Sequence, residues 1–448
     1  MYEKSIFLFH RDLRLEDNIG LIESLKNSNE VIPCFIYDSN LIKKLKNSEF
    51  RWNFLNQSLL DLDKSLKKKG SGLQIFEGDS EKSLEQIIKK NKIEAIFSNK
   101  DFSKYSENRD KKILEISKDN KIQFHLTLDF LLHDPNEIKT NDNNPYTIYS
   151  FFYKKAKMFP IRKITKNTMK NYSKENISNH YILKSKIKDF EIKGGRKEGL
   201  KILKNLKKFT RYDEVRDFPE MEKTTLLSAH NKFGTISIRE VHTQINKILG
   251  TDHTIMRQIY WREFFNHILF HFPFVEEKSF KKKFQNIPWQ NSEELFRKWK
   301  KGETGFPIID AGMNQLNQTG FMHNRVRMIV ASFLTKDLHI DWKWGEKFFA
   351  EKLIDYDTAV NSGNWQWAAS TGCDAVPYFR IFNPWRQQEK FDSDCKYIKK
   401  WIPELAKFKP EIIHNLWKKF PTNLKYPKPI IEHKKEAEKT KMIFKSQK

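Results

Sequence analysis

Asp355 to Thr371 places two carboxylates, three carboxamides and two indoles within seventeen positions: Asp355, Asp357, Asn361, Asn364, Gln366, Trp365 and Trp367. Indoles stack on flat heterocycles and pass single electrons, while carboxylates and carboxamides hydrogen-bond the edges of such rings. A flat, redox-active ligand suits these residue types. His267 and His271 have the i, i+4 spacing of helical metal ligands, but no Glu follows His267 and no third ligand is evident. They read as packing residues, and no metal is expected.

Two kinds of element must position this cluster. From residue 5 to about 130, apolar runs at Ile6 to Phe9, Val31 to Tyr37, Leu73 to Phe76, Ala95 to Phe97 and Gln123 to Leu126 alternate with amphipathic stretches. That alternation predicts an α/β domain with a parallel sheet over 1–130. No G-x-G-x-x-G follows the first strand, so the domain is Rossmann-like without the glycine fingerprint and the flat ligand is expected elsewhere. Residues 131–198 read as a long interdomain surface connection rich in Lys, Asn and Ser. Residues 199–448 carry 3.6-period spacing, as in Met256 to Phe272 and Arg325 to Leu338, which predicts a larger all-α domain. Ten of the eleven tryptophans lie at or beyond Trp261, so the aromatic chemistry belongs to that helical half. The stretch Lys434 to Lys448 reads as a solvated, fraying end.

Composition narrows the partners. Lys and Arg number 82 against 57 Asp and Glu, a formal net charge of +25, which favours a polyanion and nucleic acid over membrane. No apolar run of about 18 residues exists, and the first strand begins too early to leave room for a signal peptide, so an intracellular, cytoplasmic protein is expected. Cys34, Cys373 and Cys395 stand far apart and read as reduced thiols.

The Asp355 to Thr371 stretch continues into Gly372-Cys373-Asp374-Ala375-Val376-Pro377-Tyr378-Phe379-Arg380-Ile381-Phe382-Asn383-Pro384. With Phe7 to Asn18 (Phe-Leu-Phe-His-Arg-Asp-Leu-Arg-Leu-Glu-Asp-Asn) and Gly320 to Met328 (Gly-Phe-Met-His-Asn-Arg-Val-Arg-Met), it resembles the DNA photolyase/cryptochrome family, most like its class I cyclobutane pyrimidine dimer photolyases. The resemblance runs from about residue 5 to about His433, in family order. It implies that the helical domain binds FAD and damaged DNA.

The resemblance also implies roles for single residues. Tyr212, then Thr224, Thr225, Leu226, Leu227 and Ser228, match the segment that meets the flavin's phosphates, with Thr225 and Leu226 standing where the family often has Ser-Arg. Arg327, Asp355, Tyr356, Asp357 and Asn361 match positions around the isoalloxazine ring, Asn361 facing N5, where plant-type cryptochromes tend to carry Asp. Trp299, Trp342 and Trp365 are matched to an electron-transfer chain running from the surface to the flavin, with neighbouring Trp344 and Trp401 left to packing.

On the DNA side, Trp261 and Trp367 match the indoles that sandwich a flipped dimer, and photolyases are themselves a named example of base flipping. Gln258, Arg262, Asn324, Arg325, Met328 and Gln387 match lesion and backbone contacts, and Lys154, Lys155, Arg162 and Arg216 are further candidates for phosphate contacts. Met328 stands where (6-4) photolyases have a proton-transferring His, which favours the cyclobutane lesion. Gln258 stands where cyclobutane-dimer photolyases usually have Glu, which favours the (6-4) photoproduct. Tyr105 and Ser106 replace the Asn-Glu pair of folate-using members, so a folate antenna is not expected and the second chromophore stays undetermined. The implied activity is light-driven repair by electron transfer from reduced, anionic FAD in a monomer. A cryptochrome-type light sensor and a (6-4) photolyase are the alternatives.

Overall fold

The computed structural model describes residues 1–39, 41–42, 48–179 and 187–447. The chain packs as two units, one of residues 1–146, 150–210 and 225–273 and the other of residues 147–149, 211–224 and 274–448.

The first unit is built on five strands, β1 (Tyr2–Leu8), β2 (Ser28–Asp38), β3 (Gln74–Gly78), β4 (Ala95–Asn99) and β5 (Gln123–Thr127), in the order β3-β2-β1-β4-β5. All four pairings are parallel, and Ile6 of β1 stands level with Ile32 on one side and Ile96 on the other. A parallel strand covered on both faces needs an unbroken apolar run. Ile6, Phe7 and Leu8 supply it, each at most 2% exposed. Helices α1 (Ile19–Asn27), α2 (Glu49–Lys67), α3 (Ser80–Asn91) and α4 (Lys104–Asp119) make the connections, each opened by a side-chain cap from Asn18, Ser48, Asp79 or Ser103. All five predicted strands are present.

The turn after β1 carries protein groups in place of a glycine fingerprint. Asn99 Nδ2 donates to Asp12 Oδ2 at 2.5 Å and to Asn18 Oδ1 at 2.8 Å, and all three residues are buried.

The unit boundary does not fall at residue 199. Arg239, fully buried in the helix Ile238–Leu249, donates to Asp17 Oδ2 at 2.7 Å and Asp129 Oδ1 at 2.8 Å. Arg14 meets the other oxygen of Asp129 at 2.6 Å. Breaking such a buried network would strand a charge, so residues 225–273, including α6 (Thr254–His271), group with the sheet.

The connection over 131–198 is also more than a surface strap. It contains α5 (Tyr149–Ala156), and Asn171 O and Ser173 N bond the backbone of Val31 at 3.0 and 2.7 Å. Unpaired strand edges favour such additions.

The second unit is helical: α7 (Glu293–Lys301), α8 (Pro307–Thr319), α9 (Asn324–Lys336), α10 (Trp342–Lys352), α11 (Thr358–Ala368) and α12 (His433–Lys445) are its longer helices. Their core includes Trp299, Ile309, Met313, Val326, Val330, Leu334, Trp342, Phe349 and Trp365. Gly312 lets α8 and α9 approach closely, since a Cβ there would lie 2.4 Å from Val326 Cγ1.

The expectation of a fraying tail is overturned. Helix α12 is docked by His433 on Asp337 at 2.5 Å, by Glu436 on His339 at 2.7 Å, and by Phe444, 3% exposed, against Phe284.

Candidate flavin site and its electron path

In the second unit, α9, α10 and α11 bring the ring-binding candidates together. Arg327 on α9 donates from Nε to Met322 O at 2.7 Å and from Nη2 to both oxygens of Asp355 at 3.0 and 3.2 Å. The Asp355 side chain is 4% exposed, so the guanidinium supplies the charge and hydrogen bonds that a buried carboxylate needs. Asp357 caps α11, accepting from Val360 N at 3.3 Å. Tyr356 OH reaches Glu346 Oε1 only at 3.5 Å.

Asn361 is held by a residue that the sequence did not single out. Its Nδ2 donates to Glu346 Oε1 at 2.9 Å and to the Glu346 main-chain oxygen at 3.1 Å. Both partners are acceptors, which fixes the amide with nitrogen toward Glu346. Among the described residues nothing donates to Asn361 Oδ1, and that oxygen is not sealed from solvent. Burial raises the Glu346 carboxyl above its ordinary range, partly offset by its bonds to Asn361 and Tyr356. The signal was a lone acid beside the buried stripe Trp342, Gly345, Phe348 and Phe349 of α10.

Helix α11 is pinned by its buried polar face. Gln366 Nε2 and Ser362 Oγ both donate to Val275 O at 2.7 Å, and Gln366 Oε1 accepts from Phe280 N at 2.8 Å. Trp365 on the same helix lies over Gly345, where a Cβ would sit 2.1 Å from its Cη2.

Trp365 and Trp299 meet edge to face with ring centroids 6.2 Å apart, and Phe349 lies 5.0 Å from Trp365. Trp342 donates its indole N–H to Ser279 Oγ at 3.3 Å. Trp299, Trp342 and Trp365 are 0%, 1% and 2% exposed, so these three alone do not form a chain that starts at the surface. The sequence placed indoles correctly on helices but could not report their depth.

The DNA-side candidates fall into two sets. In the second unit Asn324 is exposed and its Nδ2 lies 3.9 Å from Met328 Sδ; Trp367 is half-buried, and Gln387 presents a buried Oε1 with no hydrogen-bond partner among the described residues. Arg325 pairs with Asp217 at 2.8 Å and lies over the Phe391 ring at 4.3 Å. In the first unit, Gln258 is exposed on α6 and Trp261 is half-buried against Phe264 and Phe265. Arg262, its side chain 11% exposed, is turned inward to Phe130 O at 3.0 Å and Glu263 at 3.4 Å. The structure does not present it as an open phosphate contact.

The phosphate-segment candidates are also divided. Tyr212 and Thr224 are half-buried in the second unit. In the first, Thr225 Oγ1 accepts from Leu227 N at 3.4 Å, Leu226 adopts φ +54°, Leu227 is buried and Ser228 is exposed. Leu227 therefore contributes its backbone rather than its side chain. His267 and His271 lie with ring centroids 4.5 Å apart, and among the described residues no group of three His, Cys, Asp or Glu could hold a metal ion.

Residues 5–166 match a family model described as DNA photolyase, and residues 255–446 match the FAD binding domain of DNA photolyase. A deoxyribodipyrimidine photo-lyase of Agrobacterium fabrum is 37% identical over 97% of this chain and 96% of its own. The chain belongs to the DNA photolyase/cryptochrome family. Among solved structures, an archaeal photolyase from Sulfolobus tokodaii, described with two FAD molecules, is 40% identical, covers 99% of both chains and superposes with a TM-score of 0.88. A class III photolyase from Agrobacterium tumefaciens is 33% identical over 100% of this chain and 98% of its own, with a TM-score of 0.90.

FAD is the cofactor of this photolyase-family chain. The residues present fit its ring edge. Arg327 Nη1 is a donor with no partner among the described residues, Asn361 Oδ1 is an open acceptor, and the carboxylate of Asp355 is held beside them. Among the described residues no helix is long and apolar enough to cross a membrane.

Proposed function

We propose that this chain is a deoxyribodipyrimidine photolyase, a carbon–carbon lyase that repairs cyclobutane pyrimidine dimers in DNA under blue or near-ultraviolet light. The single observation that carries the reading is Asn361, anchored through Nδ2 by Glu346 and left with Oδ1 as an open acceptor. An acceptor at that place suits a reduced, protonated N5. FAD, when bound in its reduced anionic form, supplies the electron that splits the dimer and takes it back.

The chain's own residues bind, orient and exclude water. Arg327 and Asp355 grip the ring edge, Asn361 holds the N5 side, and Tyr212, Thr224, Thr225, Leu226, Leu227 and Ser228 serve the phosphate end. Trp365, Trp299 and Trp342 return the flavin to its reduced state. Asn324, Arg325, Met328, Trp367 and Gln387 in the helical unit face the lesion or its backbone, and Gln258 and Trp261 act from α6. Class I is our reading within the family, on the strength of Met328 and Trp367.

The exposed carboxamide of Gln258 favours a second reading, repair of (6-4) photoproducts. Illuminating the reduced protein with oligonucleotides carrying each lesion separates the two. Restored thymines from cyclobutane dimers support our proposal. Photoreduction with neither lesion repaired would favour a light sensor instead.

A further inference from the structure

Trp344, which the sequence assigns to packing, is half-buried on α10 and lines an open groove of about 560 Å³ with Glu293, Glu294, Phe296, Arg297 and Lys300. Its ring meets Phe296 edge to face at 5.2 Å, Phe296 stacks on Trp299 at 5.8 Å with 15° between planes, and Trp299 meets Trp365 at 6.2 Å. An unbroken line of aromatic contacts thus joins the groove to the innermost indole of the candidate flavin site.

The indoles at its two ends differ in what they can do with a proton. Trp299 is fully buried and donates its N–H to Val330 O at 3.2 Å, so an oxidised Trp299 has no route to release a proton to water. Trp344 has no hydrogen-bond partner for its N–H among the described residues, and that nitrogen is not sealed from solvent. Between them, Phe296 is harder to oxidise than either indole, and the Lys300 ammonium 4.8 Å from its centroid further disfavours positive charge there. The phenyl ring is a bridge, Trp299 a relay and Trp344 a terminus.

We propose that Trp344 is the solvent end of an electron-return route that runs through Phe296 and Trp299 to Trp365, with the groove admitting a small thiol reductant. The proposal rests on the reading that Trp365 recharges the flavin. Trp365 gives one electron to the light-excited oxidised flavin; Trp299 refills Trp365, and Trp344 refills Trp299. Oxidised Trp344 then loses its N–H proton to water, and a thiol restores it by giving up a hydrogen atom and becoming a thiyl radical.

The test is to illuminate the oxidised FAD-loaded protein anaerobically, without thiol, in the presence of the spin trap 2-methyl-2-nitrosopropane, and to locate the adduct by peptide mass spectrometry. The adduct is expected on Trp344, reduced at least tenfold in Trp299→Phe and in Phe296→Leu. The second variant carries the test if the first fails to fold, because Phe296 is only half-buried. An adduct confined to another indole such as Trp289, yet lost in Trp365→Phe, would overturn this exit and keep Trp365 as the flavin's donor. Trp344 labelling unchanged by Trp299→Phe would also overturn the route. Labelling that persists in Trp365→Phe, or no labelled tryptophan at all, would overturn the underlying reading as well.

Discussion

Asn361 and Glu346 form a one-directional pair: the amide nitrogen lies 2.9 Å from the carboxyl and 3.1 Å from the main-chain oxygen of the same residue. The main-chain oxygen accepts whether or not the carboxyl is protonated, so the orientation of Asn361 does not depend on the charge of Glu346. Burial raises the Glu346 pKa, which makes a neutral carboxyl accessible at that place.

Asn361→Asp should test this pair. Two carboxyls would then share one buried position, and like charges that close cannot both ionise easily, so the pair's apparent pKa values rise and spread. Repair by the reduced protein should fall at least tenfold at neutral pH and recover partly as pH is lowered, because a protonated Asp again offers a neutral carbonyl oxygen. Repair in the variant that stays flat with pH would detach Glu346 from the flavin side of Asn361.

Trp365→Phe should block photoreduction of oxidised FAD while leaving repair by chemically reduced protein intact, since the indole path only recharges the flavin. The measurement is the flavin absorption under continuous blue light with thiol present. Undiminished photoreduction would remove Trp365 from the path.

The sequence exposed those parts of the molecule whose physics is local. Alternating strands and helices are set by periodicity, and the consecutive apolar residues of β1 required two covered faces, which the buried Ile6, Phe7 and Leu8 have. What sequence could not give was depth and pairing. Trp299 looked like a surface relay, yet it is fully buried, because helix periodicity fixes a face and not the thickness of what covers it. Glu346 passed unnoticed because its partner is fifteen residues away on the next helix. Arg262 looked free for DNA, but Phe130 and Glu263, brought close only by folding, hold its guanidinium.

Lys336 gives a stability prediction of definite sign. Burial lowers its pKa from 10.5 to about 7, with Asp337 opposing and Lys281 reinforcing the shift. Between about pH 7 and 10.5 the unfolded chain binds a proton that the folded protein has lost. Stability from this group therefore rises with pH across that window, and the cost of the buried ammonium is greatest below it. Lys336→Met should flatten that slope and raise the denaturation midpoint most at pH 6. A midpoint lowered equally at pH 6 and pH 10 would mean that the bond from Lys336 Nζ to Arg380 O, 3.3 Å long, outweighs the burial of the charge.

Trp261→Ala should weaken binding to dimer-containing DNA by roughly 1–3 kcal/mol, the range for losing one base–aromatic stack, with little change on undamaged duplex. Binding to both DNAs should keep its salt dependence, because the phosphate term is carried by other residues. Equal losses on both would return Trp261 to its packing role against Phe264 and Phe265.

Lesion choice sets Gln258 against Trp367 and Met328. An indole determines the shape of a lesion pocket, whereas a carboxamide still donates to a pyrimidine carbonyl as a protonated acid would, so the larger groups should decide. Gln258 is exposed on α6, and its replacement carries no packing cost. Gln258→Glu should therefore preserve or raise the quantum yield on cyclobutane dimers, and raise it only where the acid holds its proton, so any gain should fade as pH climbs past the carboxyl's pKa. Repair of (6-4) photoproducts by the unmodified protein, with cyclobutane dimers intact under the same light, would reverse the assignment and make Gln258 its determinant.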